Sequence, residues 1–68
     1  MTPTVGRIVH VAYSGMIYLG LVTYVWSDTC VNLALFSSDG DYVGGQTSLV
    51  YNEDRVSHLT WSWPPRVS

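Results

Sequence analysis

The chain has 68 residues, of which 47% are hydrophobic and 12% charged, with a formal net charge of −2 at pH 7. That length holds a single domain spanning residues 1–68, and a domain this small removes only about 60% of its unfolded surface from water if it folds alone. Cys30 is the only cysteine, which excludes an internal disulfide, and three arginines without a lysine make too thin a basic surface for long nucleic acid.

Residues 5–13 (VGRIVHVAY) are rich in β-branched side chains. Alternation puts Val5, Arg7, Val9, Val11 and Tyr13 on one face and Gly6, Ile8, His10 and Ala12 on the other. Ser14 and Gly15 mark a turn. Residues 17–26 (IYLGLVTYVW) read as the longest strand, with Tyr18, Val22, Tyr24 and Trp26 sharing a face opposite Leu19, Leu21 and Val25. The uncharged run over residues 11–26 is too short for a spanning helix, which needs roughly 20 apolar residues, and no basic segment of a signal peptide precedes it, so no membrane partner is expected.

Ser27, Asp28 and Thr29 supply turn chemistry, and Cys30–Phe36 resumes as strand with Asn32 as its one strongly polar side chain. Residues 37–45 read as a loop, with Asp39-Gly40 as its turn and Gly44-Gly45 as its exit. Residues 47–51 (TSLVY) predict a fourth strand, and residues 59–63 (LTWSW) a fifth, stopped by Pro64-Pro65.

Five short strands with regular turns and no helical period predict an all-β fold, a small five-stranded SH3-like and partly open barrel. The apolar fraction exceeds what one such barrel buries. The chain is therefore expected to self-associate as a homo-oligomer, a dimer or a multiple of dimers, through Tyr18, Tyr24, Trp26 and Trp61. A lone thiol gives no sign of an oxidising compartment, so a reducing cytoplasm is expected.

The strongest chemical set is Arg7, His10, Trp61, Trp63 and Arg66. The ends of an SH3-like barrel run side by side, which brings GRIVH against WSWPPR. There an arginine clamps a phosphate bidentately and a tryptophan stacks on a base, at about 1–3 kcal/mol per base. The competing reading makes the tryptophans core or interface anchors, pairs Arg7 with Glu53 or Asp54, and leaves His10 an ordinary half-buried strand residue. Asn32, if buried, needs hydrogen-bond partners, supplied by a ligand's polar edge or by neighbouring backbone.

Other chemistries find little support. Cys30 among Val31, Leu33 and Leu35 reads as a small buried hydrophobe rather than a nucleophile. His10 and His58 lack any short metal-ligand spacing, and Asp39, Asp41, Glu53 and Asp54 lie in turns where solvated acids belong. The chain is thus expected to be no enzyme and to need no cofactor or metal.

Three stretches, TVGRIVH at residues 4–10, SDTCVNL at 27–33 and WSWPPRV at 61–67, resemble a widespread family of small, mostly uncharacterised tailed-phage proteins that open on Gly-Arg-Ile-Val-His and close on Trp-His-Trp-Pro. The likeness runs from one end of the chain to the other, with Ser62 standing where histidine is usual. It implies a phage-encoded accessory protein of the host cytoplasm. By analogy with small oligomeric phage proteins that sequester nucleotide messengers, the expectation is a counter-defence sponge holding a nucleotide-type anion through Arg7, His10, Asn32, Trp61, Trp63 and Arg66. Its pocket is expected between copies, because a five-stranded barrel has little internal volume. The alternative is a protein-interaction module that docks on and inhibits a host protein.

Overall fold

The computed structural model describes residues 2–64. The β-branched and aromatic stretches form five strands, β1 (Ile8–Tyr13), β2 (Met16–Val25), β3 (Cys30–Phe36), β4 (Tyr42–Tyr51) and β5 (Thr60–Ser62), in a closed barrel of order β1-β2-β3-β4-β5. β1 to β4 pair as an antiparallel meander. Ser14 (φ 49°) and Gly15 (φ 76°) turn the first hairpin through two left-handed residues, the backbone whose twist matches the strands it joins. Among the described residues no helix is long and apolar enough to cross a membrane.

The barrel is closed where a partly open one was expected, and the cause is β5. It runs antiparallel to β1, with Val11 opposite Trp61, and parallel to β4, with Tyr51 opposite Trp61. Both edges of β5 are therefore paired, although it covers β4 only at Val50 and Tyr51, and Tyr42 to Leu49 have β3 as their one strand neighbour.

Val9, Val11, Val22, Val31, Leu33, Leu35, Leu49 and Trp61 fill the interior, with Tyr13, Tyr18, Val25, Tyr51 and Trp63 packed against them. Gly20 faces inward among them, where a Cβ would lie 2.8 Å from Val11 Cγ2. Every buried polar side-chain atom among the described residues has a hydrogen-bond partner.

Four sequence expectations are corrected. β1 starts at Ile8, because Val5 and Gly6 turn, although the Val22 N–H still donates to the Arg7 carbonyl at 2.9 Å. β2 does not keep Tyr18, Val22, Tyr24 and Trp26 on one face: a bulge between Val22 and Tyr24 turns Tyr24 and Trp26 outward. β4 begins at Tyr42, well before Thr47, because β3 offers a ladder that Gly44 and Gly45 join despite their loop-like composition. β5 is only Thr60–Ser62, since Leu59 takes a left-handed φ of 56°.

β3 is the strand on which both neighbours change register, and both do so at Asn32. On β2 the pairing jumps from Val22 to Tyr24; on β4 it jumps from Leu49 to Gln46. Ser48, in the β4 bulge, has φ 59°, and its N–H is donated to Asn32 Oδ1 at 2.8 Å. An Asn side chain thus takes up the N–H that the bulge withdraws from the ladder.

Candidate functional site

The antiparallel β1–β5 pair brings GRIVH beside the closing tryptophans. Trp63, just beyond β5, is the centre of the assembly. Its ring packs edge-on against Trp61 at 5.3 Å, and the Arg7 guanidinium lies over it, 5.5 Å from the ring centroid, within the range of a cation–π contact. His10 faces Ser62 across the strand pair.

The second cation of the cluster is Arg55, which sequence reading passed over. Its Nη2 donates to His10 Nδ1 at 2.8 Å and its Nη1 donates to the Trp63 carbonyl at 3.4 Å. A guanidinium only donates, so Nδ1 accepts and the neutral imidazole carries its proton on Nε2. Partial burial first, and the positive charge of Arg55 second, hold the His10 pKa below its ordinary 6.5.

Arg55 reaches this place from a loop that its neighbours shape. Asn52 Oδ1 accepts the Asp54 N–H at 3.0 Å, and Asp54 Oδ1 accepts the N–H groups of Val56 at 2.9 Å and Ser57 at 3.1 Å. The Ser57 hydroxyl donates to Asp54 Oδ2. These bonds, that of Ser57 Oγ foremost, hold the Asp54 carboxyl below its ordinary 3.8. Between them Arg55 adopts φ 62°, a left-handed backbone that the Asp54 bonds sustain. Asp54 organises this loop rather than standing as a merely solvated turn acid.

Trp61 is 1% exposed and its indole N–H is donated to the Thr29 carbonyl at 2.9 Å. It is a core residue, with its ring packed against Tyr51 and Trp63, and so cannot serve as an outward interface residue between copies. Tyr18 likewise packs against the core, edge-on to Tyr13 at 5.6 Å. Tyr24 and Trp26 remain exposed, in mutual edge contact at 4.8 Å.

Asn32 stands apart from this cluster. It lies on the outer side of β3 opposite Tyr24, and its Oδ1 accepts both the Ser48 N–H and the Trp26 indole N–H. Arg66 lies outside the described residues. His58 Nδ1 accepts the Ser14 N–H at 3.1 Å, and its ring packs on Tyr13 at 5.1 Å, tying the loop to the first hairpin.

An open pocket of about 330 Å³ adjoins the cluster, lined by Thr2, Asp28, Thr29, Tyr51, Trp61 and Trp63. One copy therefore offers an open pocket of this size, where the expectation favoured volume between copies over volume within one: the barrel interior is filled, and the pocket lies outside it, where Trp63 has left the strand. Trp63 joins it to Arg7. No group of three metal-ligating side chains occurs among the described residues. No protein-family model, curated protein or solved structure matches this chain.

Proposed function

We propose that this chain is a non-enzymatic, self-associating binding protein whose ligand is a small nucleotide-type anion, acting in the host cytoplasm as a phage counter-defence sponge. The observation that carries the reading is the position of Trp63. One aromatic ring borders the 330 Å³ pocket and also bears the Arg7 guanidinium, with Arg55 bonded to its carbonyl. A flat base fits against the pocket wall and a phosphate against the guanidinium, which is the division of labour a nucleotide needs. Asp28 at the pocket supports the same polarity, since a carboxylate accepts a base's amino group and repels a phosphate.

The phage setting rests on the resemblance of the GRIVH, TCVN and WSWPP stretches, and the SH3-like reading of the barrel is supported by its meander and by β5 lying parallel to β4. The state of the site's imidazole supports binding over catalysis: His10 Nδ1, the ring's accepting nitrogen, is taken up by the Arg55 guanidinium, and Cys30 lies on another strand.

Calorimetric titration of cyclic dinucleotides and ADP-ribose derivatives into the wild type and Arg7→Ala tests this. Loss of one charge-assisted contact, about 1.5–3 kcal/mol, weakens binding roughly ten-fold to a hundred-fold. Equal binding by a folded Arg7→Ala protein removes Arg7 from the site.

A second reading has its own observation. Tyr24 and Trp26 form an exposed aromatic pair, 50% and 59% accessible, and aromatic surface of this kind suits docking on a host protein. If no nucleotide binds the wild type, that module reading takes precedence.

A further inference from the structure

We propose that Arg55 anchors an oxyanion site that takes a phosphate-class group and couples its binding to proton uptake at His10. The inference deepens the nucleotide reading, on which the source of the oxyanion rests, and adds to Arg7 a second cation that the sequence did not suggest.

The site follows from the company Arg55 keeps. Its side chain is half-buried, and both groups it bonds are neutral: Nη2 donates to His10 Nδ1 at 2.8 Å and Nη1 donates to the Trp63 carbonyl at 3.4 Å. Among the described residues no carboxylate is paired with it. Asp54, its neighbour in the chain, is committed elsewhere, with Oδ1 accepting the Val56 and Ser57 N–H groups and Oδ2 the Ser57 hydroxyl. A cation drawn out of water onto neutral acceptors keeps its charge unbalanced. Of the five N–H donors of a guanidinium two are used here, and the rest are available for the forked contact that an oxyanion prefers. Trp63 carries both cations, Arg7 over its ring and Arg55 on its carbonyl. A dianionic phosphate, or two phosphates in a chain, gains more from a pair of positive charges than a single carboxylate does.

The coupling follows from charge. The residues facing His10 across the sheet are Leu19 on β2 and Ser62 on β5, both uncharged. Arg7, on the segment before β1, lies over Trp63, and Arg55 is the charge that bears on the imidazole, second to burial. A dianion held on Arg55 offsets that repulsion, so binding raises the His10 pKa. By linkage, the same oxyanion binds more tightly as pH falls through the His10 range.

NMR titration of the His10 and His58 ring protons from about pH 4 to about pH 8 tests this on the wild type and Arg55→Gln, in sodium sulfate at tens of millimolar and in sodium chloride of equal ionic strength. Sulfate keeps its double charge throughout, chloride supplies the same screening, and His58, bonded to the Ser14 N–H, is the internal control. The expected result is a His10 midpoint raised by sulfate in the wild type, no difference between the two salts in Arg55→Gln, and no sulfate effect on His58. If Arg55→Gln fails to fold, Arg55→Lys keeps the charge without the fork and is expected to show a smaller sulfate shift. A wild-type His10 midpoint that sulfate leaves unmoved, or one that sulfate raises equally in either folded variant, overturns the site. The nucleotide reading fails separately: a wild type that holds sulfate at Arg55 yet binds no nucleotide by calorimetry keeps the oxyanion site and overturns a nucleotide as its source.

Discussion

The indole N–H of Trp26 is donated to Asn32 Oδ1 at 2.8 Å, on the oxygen that also takes the Ser48 backbone N–H. One side chain therefore steadies a bulge on β4 and an exposed ring at the end of β2. The polar residue in an otherwise apolar strand is there because two register shifts meet at its position.

Asn32→Ala is expected to lose both bonds and to destabilise the fold by about 1–2 kcal/mol, a fall in Tm of roughly 4–8 °C per kcal/mol for a domain of this size. Asn32→Asp keeps the acceptor and loses much less. Thermal melts of the three proteins decide it; an Asn32→Ala melt that overlays the wild type rules out a structural role for these bonds.

Trp61 separates a core role from a stacking role. Trp61→Phe keeps most of the ring but drops the bond to Thr29, so a cost of about 1–2 kcal/mol is expected, whereas Trp61→Ala opens a cavity worth about 3–5 kcal/mol and leaves little folded protein. Denaturant titration measures both. A stable Trp61→Ala variant is incompatible with the ring filling the interior.

At Gly20 the problem is space. A Cβ there lies 2.8 Å from Val11 Cγ2, 3.2 Å from Leu33 Cδ2 and 3.3 Å from Val9 Cγ2. Val9 and Val11 are stiff at χ1 and their methyl groups cannot swing clear, so Gly20→Ala is expected to cost about 1–3 kcal/mol despite removing an entropically costly glycine. A melting temperature at or above that of the wild type would show that the wall yields.

His10 links the site to pH. Its folded pKa lies below the ordinary 6.5, so the unfolded chain binds the proton first: the stability His10 contributes is complete above about pH 6.5 and is lost as pH falls through the folded value. In Arg55→Ala the repelling charge and part of the cover are gone, and the pKa should rise toward 6.5. Titration of the His10 ring protons by NMR reads this directly, and an unmoved midpoint would mean that Arg55 does not act on the imidazole.

The parts of the fold that were legible are those where alternation runs unbroken. Cys30–Phe36 keeps Val31, Leu33 and Leu35 inward along its whole length, so its limits and its core face both follow from the sequence. Period-2 reading failed at Val22 to Tyr24, because a bulge adds a residue without leaving a compositional mark. Gly44 and Gly45 concealed the start of β4, since what holds them in a strand is the β3 ladder rather than any preference of their own. In the candidate site Arg7, His10 and Trp63 were found from the two ends meeting. Arg55 was missed because it lies in a polar loop, and only the Asn52 and Asp54 side-chain bonds determine where that loop points. Trp61 and Trp63 have the same parity, but β5 stops at Ser62, and one ring enters the core while the other stays at its edge.

The shortest strand sets how the molecule breathes. β5 has three residues, and two of its Cα pairings join it to β4. Local opening is cheapest where a segment has the fewest backbone bonds to break, yet this segment carries Trp61 and leads directly into Trp63. Release of β5 withdraws the largest core side chain and scatters the Arg7–Trp63 cluster in the same event. Occupancy of that cluster and closure of the barrel would therefore be one linked equilibrium: the proposed ligand, held on Trp63, slows amide exchange in β5 by a factor of one plus the ratio of free ligand concentration to Kd, while amides at the centre of β3 go on reporting global unfolding.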